Sequence, residues 1–285
     1  ALASHVIGFA GRTADGPDLT GRYGTEAQFD AFLTGNESAD GASIRLTIDQ
    51  RIQAEGEKIL GDLITRVRAK SGLFIVQEPA TGKILAMGGV PSFDPNTYGS
   101  SPLDRFVNRS VQAVYEPGSI FKVITMAAGI DSGAVTPDTT YVDTGSVTLN
   151  GRTIRNWDHK AYGKTTMTGV IEHSLNVGAV FAQRKIGRDT FLSYVKAFGF
   201  GERTGIDLPS ETAGSIRTLT TNAEDINYAT ASFGQGISVT PVQLIGALSA
   251  VANGGPLKRP IVNAEDRPRP IRTVNAKETA HEVTN

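Results

Sequence analysis

There is no cysteine among the 285 residues, and only one tryptophan and three methionines. Without cysteine the chain has no disulfide, no thiolate metal site and no thiol nucleophile. That composition fits an exported protein without proving export. The four histidines, His5, His159, His173 and His281, are scattered, and none pairs with another at the spacing that puts two zinc ligands on one helix face. Neither a metal nor another cofactor is expected. An excess of one charge is lacking as well: 28 Lys and Arg against 29 Asp and Glu leave −1, with no dense basic run. Nucleic acid, whose binding rests on neutralising phosphates, is therefore not an expected partner. No run of 18 or more apolar residues occurs, so no segment reads as a membrane span. Nor is a signal peptide visible. The chain begins at Ala1 in mid-pattern and reads as a piece of a longer one, with any targeting segment upstream.

What is present suffices for one large domain with a smaller attachment, hiding roughly three quarters of the unfolded chain's surface. Residues 1–43 are rich in Gly, Asp and Thr and suggest short strands and turns with little core of their own, so a domain boundary is placed near residue 43. Ser43 to Ile48 alternates like a strand. From Ile52, the residues Ile59, Leu60, Leu63, Ile64 and Val67 make one face of a helix. Its start is either a Thr47/Gln50 capping box or an Asp49 cap. "SGLFIVQEPATGKILAMGGV" reads as a hairpin around Pro-Ala-Thr-Gly, and "SVTLNGRTIRNW" as a second hairpin on the type I′ signal Asn150-Gly151. Helices are expected at about 167–186, 189–198 and 240–253, the last stopped by Asn253-Gly254-Gly255 and Pro256. The proline-bearing tail from Arg259 reads as an exposed connection. Early strands followed by several helices indicate an α+β arrangement rather than alternating βαβ units.

Two glycine-bearing stretches are decoys. "GKTTMTG" at 163–169 lacks the glycine a phosphate loop needs five residues before Gly163, where Asp158 stands. "GFGERTG" at 199–205 follows a helical pattern rather than a strand and reads as a turn.

Chemistry enters with "YEPGSIFKVITMAAGI", residues 115–130, where Ser119 precedes Lys122 by three places. S-x-x-K is weak by itself: about one match is expected by chance in a chain of this length. A second copy, Ser193-Tyr194-Val195-Lys196, lies in an amphipathic pattern where both polar residues can face water. The Ser119 copy differs. Glu116-Pro117-Gly118 ends whatever precedes, so a helix starts near Ser119, and it is apolar nearly all round. A lysine in the first turn of a buried helix is misplaced both for the helix dipole and for solvation. Residues at i and i+3 share a face, burial depresses an amine's pKa, and a serine needs such a base to become a nucleophile. The bland alternative is a serine N-cap with a snorkelling lysine.

The surrounding blocks favour the catalytic alternative. "GRYGTEAQFDAFLTG", "LTIDQRIQ", "PATGKILAMGGVPSFDPN", "NRSVQAVYEPGSIFKVIT", "EHSLNVGAVF", "GFGERTGIDLPSE" and "ASFGQGISVTPVQLIGALSAVANGG" together resemble the class B penicillin-binding proteins, the peptidoglycan D,D-transpeptidases, over nearly the whole chain. The resemblance implies a β-lactamase/transpeptidase-like α+β fold over residues 44–285, preceded by a partial pedestal, 1–43. It makes Ser174-Leu175-Asn176 the family's S-x-N motif, the only S-x-N in the chain. It implies Ser119 as nucleophile toward the D-Ala-D-Ala end of a stem peptide, Lys122 as acylation base, Ser174 as proton relay and Asn176 as holder of the substrate amide. β-Lactams would acylate Ser119. A membrane-embedded glycan polymerase is the implied partner, and a single anchor outside this chain would keep the domain extracytoplasmic. A serine β-lactamase and a non-catalytic β-lactam sensor or scaffold are the competing readings.

One motif departs from the pattern. The family's K-[ST]-G should follow Ser174, yet the chain's Lys70-Ser71-Gly72 precedes Ser119 and reads as a helix end with its glycine stop. "NAKETAHEVTN" looks like the start of the helix that would lead to the absent strand. By resemblance, that part would also supply the second oxyanion donor, whose loss typically costs 10²–10³ in rate. The 285 residues alone are thus expected to be inactive, with an apolar sheet face and an unpaired edge left open.

Overall fold

A computed structural model describes residues 1–13, 16, 19–35 and 42–284. The chain opens with α1 (Ser4–Ile7), the antiparallel pair β1 (Phe9–Arg12) and β2 (Leu19–Tyr23), and two short turns of helix, α2 (Gly24–Gln28) and α3 (Asp30–Leu33). Their apolar residues find partners further along the chain. Phe9 packs with Phe93 and Phe106, while Ala3 and Val6 join Ile84 and Met87.

Ser43 to Ile48 is not a strand: Leu46 makes a single bridge to Asn263. Thr47 donates its hydroxyl to the carbonyls of Ile84 and Ile261, so it caps nothing. Helix α4 (Gln50–Val67) is capped by Asp49, whose carboxylate accepts from the N–H groups of Arg51 and Ile52. The buried face of α4 runs through Gln53, Gly56 and Leu60, so only Leu60 and the half-buried Ile64 of the apolar row read from the sequence turn inward. Gln53 exchanges hydrogen bonds with the Met87 backbone, and a Cβ at Gly56 would meet the Phe74 ring at 2.3 Å. Ile52, Ile59, Leu63 and Val67 stay exposed. The helix ends on Arg68 in a left-handed conformation (φ 52°) rather than at a glycine. Lys70 and Ser71 form the connection, and Gly72 opens β3 (Gly72–Gln77), which pairs antiparallel with β4 (Ile84–Val90) as the first expected hairpin.

After α5 (Arg109–Gln112), a tight turn over Gly118–Phe121 runs directly into α6 (Lys122–Asp131). This helix is the axis of the core: Phe121, Ile124, Ala127 and Ala128 pack in one cluster with Phe191, Phe198, Phe200, Ala247 and Val251. Strands β5 (Thr140–Asp143), β6 (Ser146–Leu149), β7 (Arg152–Arg155) and β8 (Gly163–Thr166) form two antiparallel pairs, β5 with β8 and β6 with β7. The β6–β7 turn has Asn150 at φ 48° and Gly151 at φ 73°, as its sequence requires.

The helix expected over 167–186 is two helices, α7 (Met167–Glu172) and α8 (Asn176–Ile186), broken at Ser174. Next come α9 (Arg188–Ala197), α10 (Arg217–Thr220), α11 (Asp225–Ala231) and α12 (Pro241–Ala252), the last opening on a Thr240/Gln243 capping box. The tail from Arg259 is exposed in its middle, over most of 265–271, and not at its start. Ile261 and Val262 are fully buried, and the Asp207 carboxylate accepts the N–H groups of Val262 and Asn263, each at 2.7 Å. Strand β9 (Pro256–Lys258) pairs with β10 (Pro270–Thr273), and α13 (Lys277–Thr284) packs on α6 and α12. No helix among the described residues is long and apolar enough to cross a membrane.

Candidate active site

Ser119 sits in the tight turn that starts α6, exposed to solvent. Its backbone is held from behind by the 232–239 segment. Gly118 donates its N–H to the Gly234 carbonyl at 3.0 Å, and Tyr115 and Val239 exchange N–H···O bonds, both 3.0 Å. Gly236 donates to the Glu116 carboxylate at 2.8 Å, and Thr125 donates its hydroxyl to the Ser232 carbonyl at 2.8 Å. Gly234 has φ 76°, and a Cβ there would come within 2.2 Å of the Gly118 carbonyl oxygen. The serine caps nothing: its turn has no side-chain cap, and its hydroxyl instead meets an amine.

That amine is Lys122. The side chain is 1% exposed, and its Nζ lies 3.0 Å from Ser119 Oγ, 3.0 Å from Ser174 Oγ and 2.7 Å from the Ser174 carbonyl oxygen. Lys122 therefore does not snorkel. Desolvation pushes its pKa down from 10.5 to about 8, within reach of the neutral, proton-accepting form near physiological pH. A carbonyl and two hydroxyls satisfy the amine without an acidic partner, which leaves its proton affinity low.

Ser174 owes its place to the break between α7 and α8. It adopts φ 54°, the left-handed region uncommon for a residue with a Cβ. Leu175, fully buried, donates its N–H to the Val170 carbonyl and anchors the turn. The reversal points the carbonyl and the hydroxyl of Ser174 at the same lysine. Ser119, Lys122 and Ser174 are thus brought together. Asn176 is not among the residues lining the cavity over Ser119. It begins α8, and its side-chain amide donates to the Arg155 carbonyl at 2.9 Å.

The cavity over Ser119 is about 420 Å³, and its other walls are Trp157, Tyr162, Glu172, His173 and Ser174. The sequence reading assigned no role to Trp157, Tyr162, Glu172 or His173. Trp157 is 69% exposed and donates its indole N–H to the His173 carbonyl at 3.3 Å. The Tyr162 ring lies 4.9 Å from the His173 imidazole, and its hydroxyl donates to Asp158, which pushes the phenol's pKa up. Behind this wall, buried Asp143 accepts from Tyr141 Oη, Asn156 Nδ2 and the Tyr162 N–H, while Asn156 Oδ1 accepts the Val177 N–H. A solitary tryptophan was the only hint available in the sequence. Its meaning depends on a loop folding back over α7.

The second S-x-x-K is inert. Ser193 and Lys196 are exposed on α9, and Ser193 Oγ donates to the Thr190 carbonyl. "GKTTMTG" is strand β8 running into α7, and "GFGERTG" is a loop with three glycines at positive φ.

A hydroxyl nucleophile hydrogen-bonded to a buried amine of lowered pKa, with a second hydroxyl on that amine, places the chain in the class of lysine-activated serine acyl-transfer proteins. The family model of the penicillin binding protein transpeptidase domain matches residues 72–285, and the chain belongs to that family. Stage V sporulation protein D of Bacillus subtilis (strain 168) is 33% identical over 287 residues, 92% of this chain and 44% of that protein. Peptidoglycan D,D-transpeptidase FtsI of Escherichia coli (strain K12) is 29% identical over 291 residues, 94% of this chain and 48% of that one. The crystal structure of penicillin binding protein 3 from Mycobacterium tuberculosis, complexed with aztreonam, matches with a TM-score of 0.85 and 28% identity, covering 99% of this chain and 65% of that one. The α+β transpeptidase fold expected from the sequence blocks is the fold found. The chain spans less than half the length of these two curated relatives.

Proposed function

We propose that this chain carries the catalytic centre of a peptidoglycan D,D-transpeptidase. Ser119 Oγ attacks the carbonyl of the penultimate D-Ala of a stem peptide and passes its proton to Lys122. The C–N bond breaks, terminal D-Ala leaves with a proton relayed through Ser174, and an ester to Ser119 remains. The amine of a neighbouring stem peptide resolves that ester into a cross-link. The backbone N–H of Ser119, at a helix start, is one oxyanion donor. By the family's S-x-N motif Asn176, at the start of α8 and outside the cavity lining, holds the substrate amide, with one of its two side-chain N–H groups committed to the Arg155 carbonyl. β-Lactams, which mimic D-Ala-D-Ala, acylate the same oxygen. No step calls for a cofactor.

The observation that carries this reading is Lys122 Nζ at 3.0 Å from both serine hydroxyls with 1% exposure. Similarity to proteins named as D,D-transpeptidases supports the substrate. On the same similarity, the working protein is membrane-anchored outside this chain, acts outside the cytoplasmic membrane and serves a membrane-embedded glycan polymerase. The test is to treat the full-length protein with penicillin and map the adduct by mass spectrometry. An adduct on Ser119, absent in Ser119→Ala, is expected, and an adduct elsewhere defeats the assignment. Slow release of the bound penicillin separates a transpeptidase from a serine β-lactamase, which would turn it over rapidly. A sensor or scaffold would acylate but form no cross-link.

A further inference from the structure

Glu172 lines the Ser119 cavity, yet nothing in the fold accounts for a carboxylate there. It is exposed, and among the described residues it has neither a hydrogen-bond nor an ion-pair partner. It is the last residue of α7, where the helix dipole disfavours negative charge. A structural role would place an acid at the other end or beside a base. The remaining walls are aromatic: the exposed Trp157, Tyr162 and the His173 ring. The one lysine of the site, Lys122, is buried behind the serines, with its amine committed to Ser119 Oγ, Ser174 Oγ and the Ser174 carbonyl. Aromatic faces with an unpaired carboxylate, and no lysine or arginine among the cavity walls, make a receptor for a positive charge. They are poorly suited to the free carboxylate of a donor peptide.

Cross-linking brings one cation to this place. The acceptor's nucleophile is an amine, which at neutral pH arrives as ammonium. We propose that Glu172, with Trp157, Tyr162 and His173, forms the subsite that receives the acceptor ammonium beside the Ser119 ester. The proposal rests on the transpeptidase reading above. In this step the ammonium gives one proton to water, and its nitrogen attacks the ester carbonyl. The new C–N bond forms as the C–Oγ bond to Ser119 breaks. A second proton from the nitrogen passes to neutral Lys122 and from there to Ser119 Oγ, restoring the hydroxyl. Glu172 concentrates and orients the acceptor and takes no part in bond making.

The discriminating experiment measures how the acyl-enzyme of the full-length protein partitions among water, an amine and a neutral alcohol. A thioester analogue of acyl-D-Ala-D-Ala serves as donor, with glycinamide and methanol as acceptors. In Glu172→Gln the aminolysis-to-hydrolysis ratio should fall about fivefold, the scale of a partly exposed charge contact. The methanolysis-to-hydrolysis ratio and the rate of penicillin acylation should stay as in wild type. Glu172→Asp should retain part of the amine preference, and added salt should erode it in wild type but not in Glu172→Gln. An unchanged aminolysis ratio, or an equal fall with methanol, overturns the subsite. If the wild type forms no ester on Ser119 at all, the transpeptidase reading itself is wrong and the subsite goes with it.

Discussion

Lys122 joins two properties that oppose each other in an ordinary lysine: near-complete burial and contact with two hydroxyls that need a base. Burial lowers its pKa to about 8, so the fraction able to accept a proton grows as pH rises through that value. The acylation rate with penicillin is therefore expected to climb from acid pH and level off above about 8, as followed by stopped-flow fluorescence. Lys122→Arg should not restore it, because a guanidinium stays charged. Loss of the base should cost on the order of 10²–10⁴ in rate. At this scale the sequence was half legible. Ser119-x-x-Lys122 and Ser193-x-x-Lys196 match the same pattern, and only the apolar run after Ser119 foretold which lysine would be desolvated. The left-handed turn at Ser174 was not legible, since the apolar spacing of α7 continues across it into α8.

Among the elements, the segment 232–239 decides whether the nucleophile turn keeps its shape. Gly234 is the contact point, at positive φ and against the Gly118 backbone, with no flexible side chain to give way. Gly234→Ala is expected to destabilise the fold by about 1–3 kcal/mol and to slow penicillin acylation by at least tenfold, read by thermal melting and labelling rate. Gly61→Ala, in open space on α4, is the control: it should leave acylation unchanged and stabilise by up to about 1 kcal/mol. The α4 face shows why element packing was only partly readable. Its existence followed from local rules, which left the cap open between Thr47/Gln50 and Asp49. Its orientation did not, because the inward side is marked by a glutamine that satisfies a strand backbone and a glycine that admits Phe74.

Over the whole molecule, the exposed row Ile52, Ile59, Leu63 and Val67 on α4 and the pairing of β3 with β4 alone among the described strands leave an apolar face and an open sheet edge. The open edge was expected from the sequence, which has no K-[ST]-G after Ser174, whereas the apolar face lies on helix α4 and not on the sheet. A polypeptide of residues 1–285 alone is therefore expected to self-associate in light scattering, and Ile59→Glu with Leu63→Glu should reduce this. On the family resemblance, which puts the second oxyanion donor beside K-[ST]-G, it should also fail to label stoichiometrically with fluorescent penicillin. Saturable labelling would show that Ser119, Lys122 and Ser174 suffice.

By itself the sequence determined the family, the two hairpins, helices α4, α9 and α12 and the candidate pair Ser119 and Lys122, because caps, turn residues and apolar periodicity act over a few positions and motif order survives without coordinates. The tertiary structure alone decided the state of Lys122, the turn that aims Ser174, and the wall of Trp157, Tyr162, Glu172 and His173. These depend on desolvation and on chain segments that meet only after folding. Asp143 and Asn156 pull a distant loop over the start of α8. No local rule contains that distance.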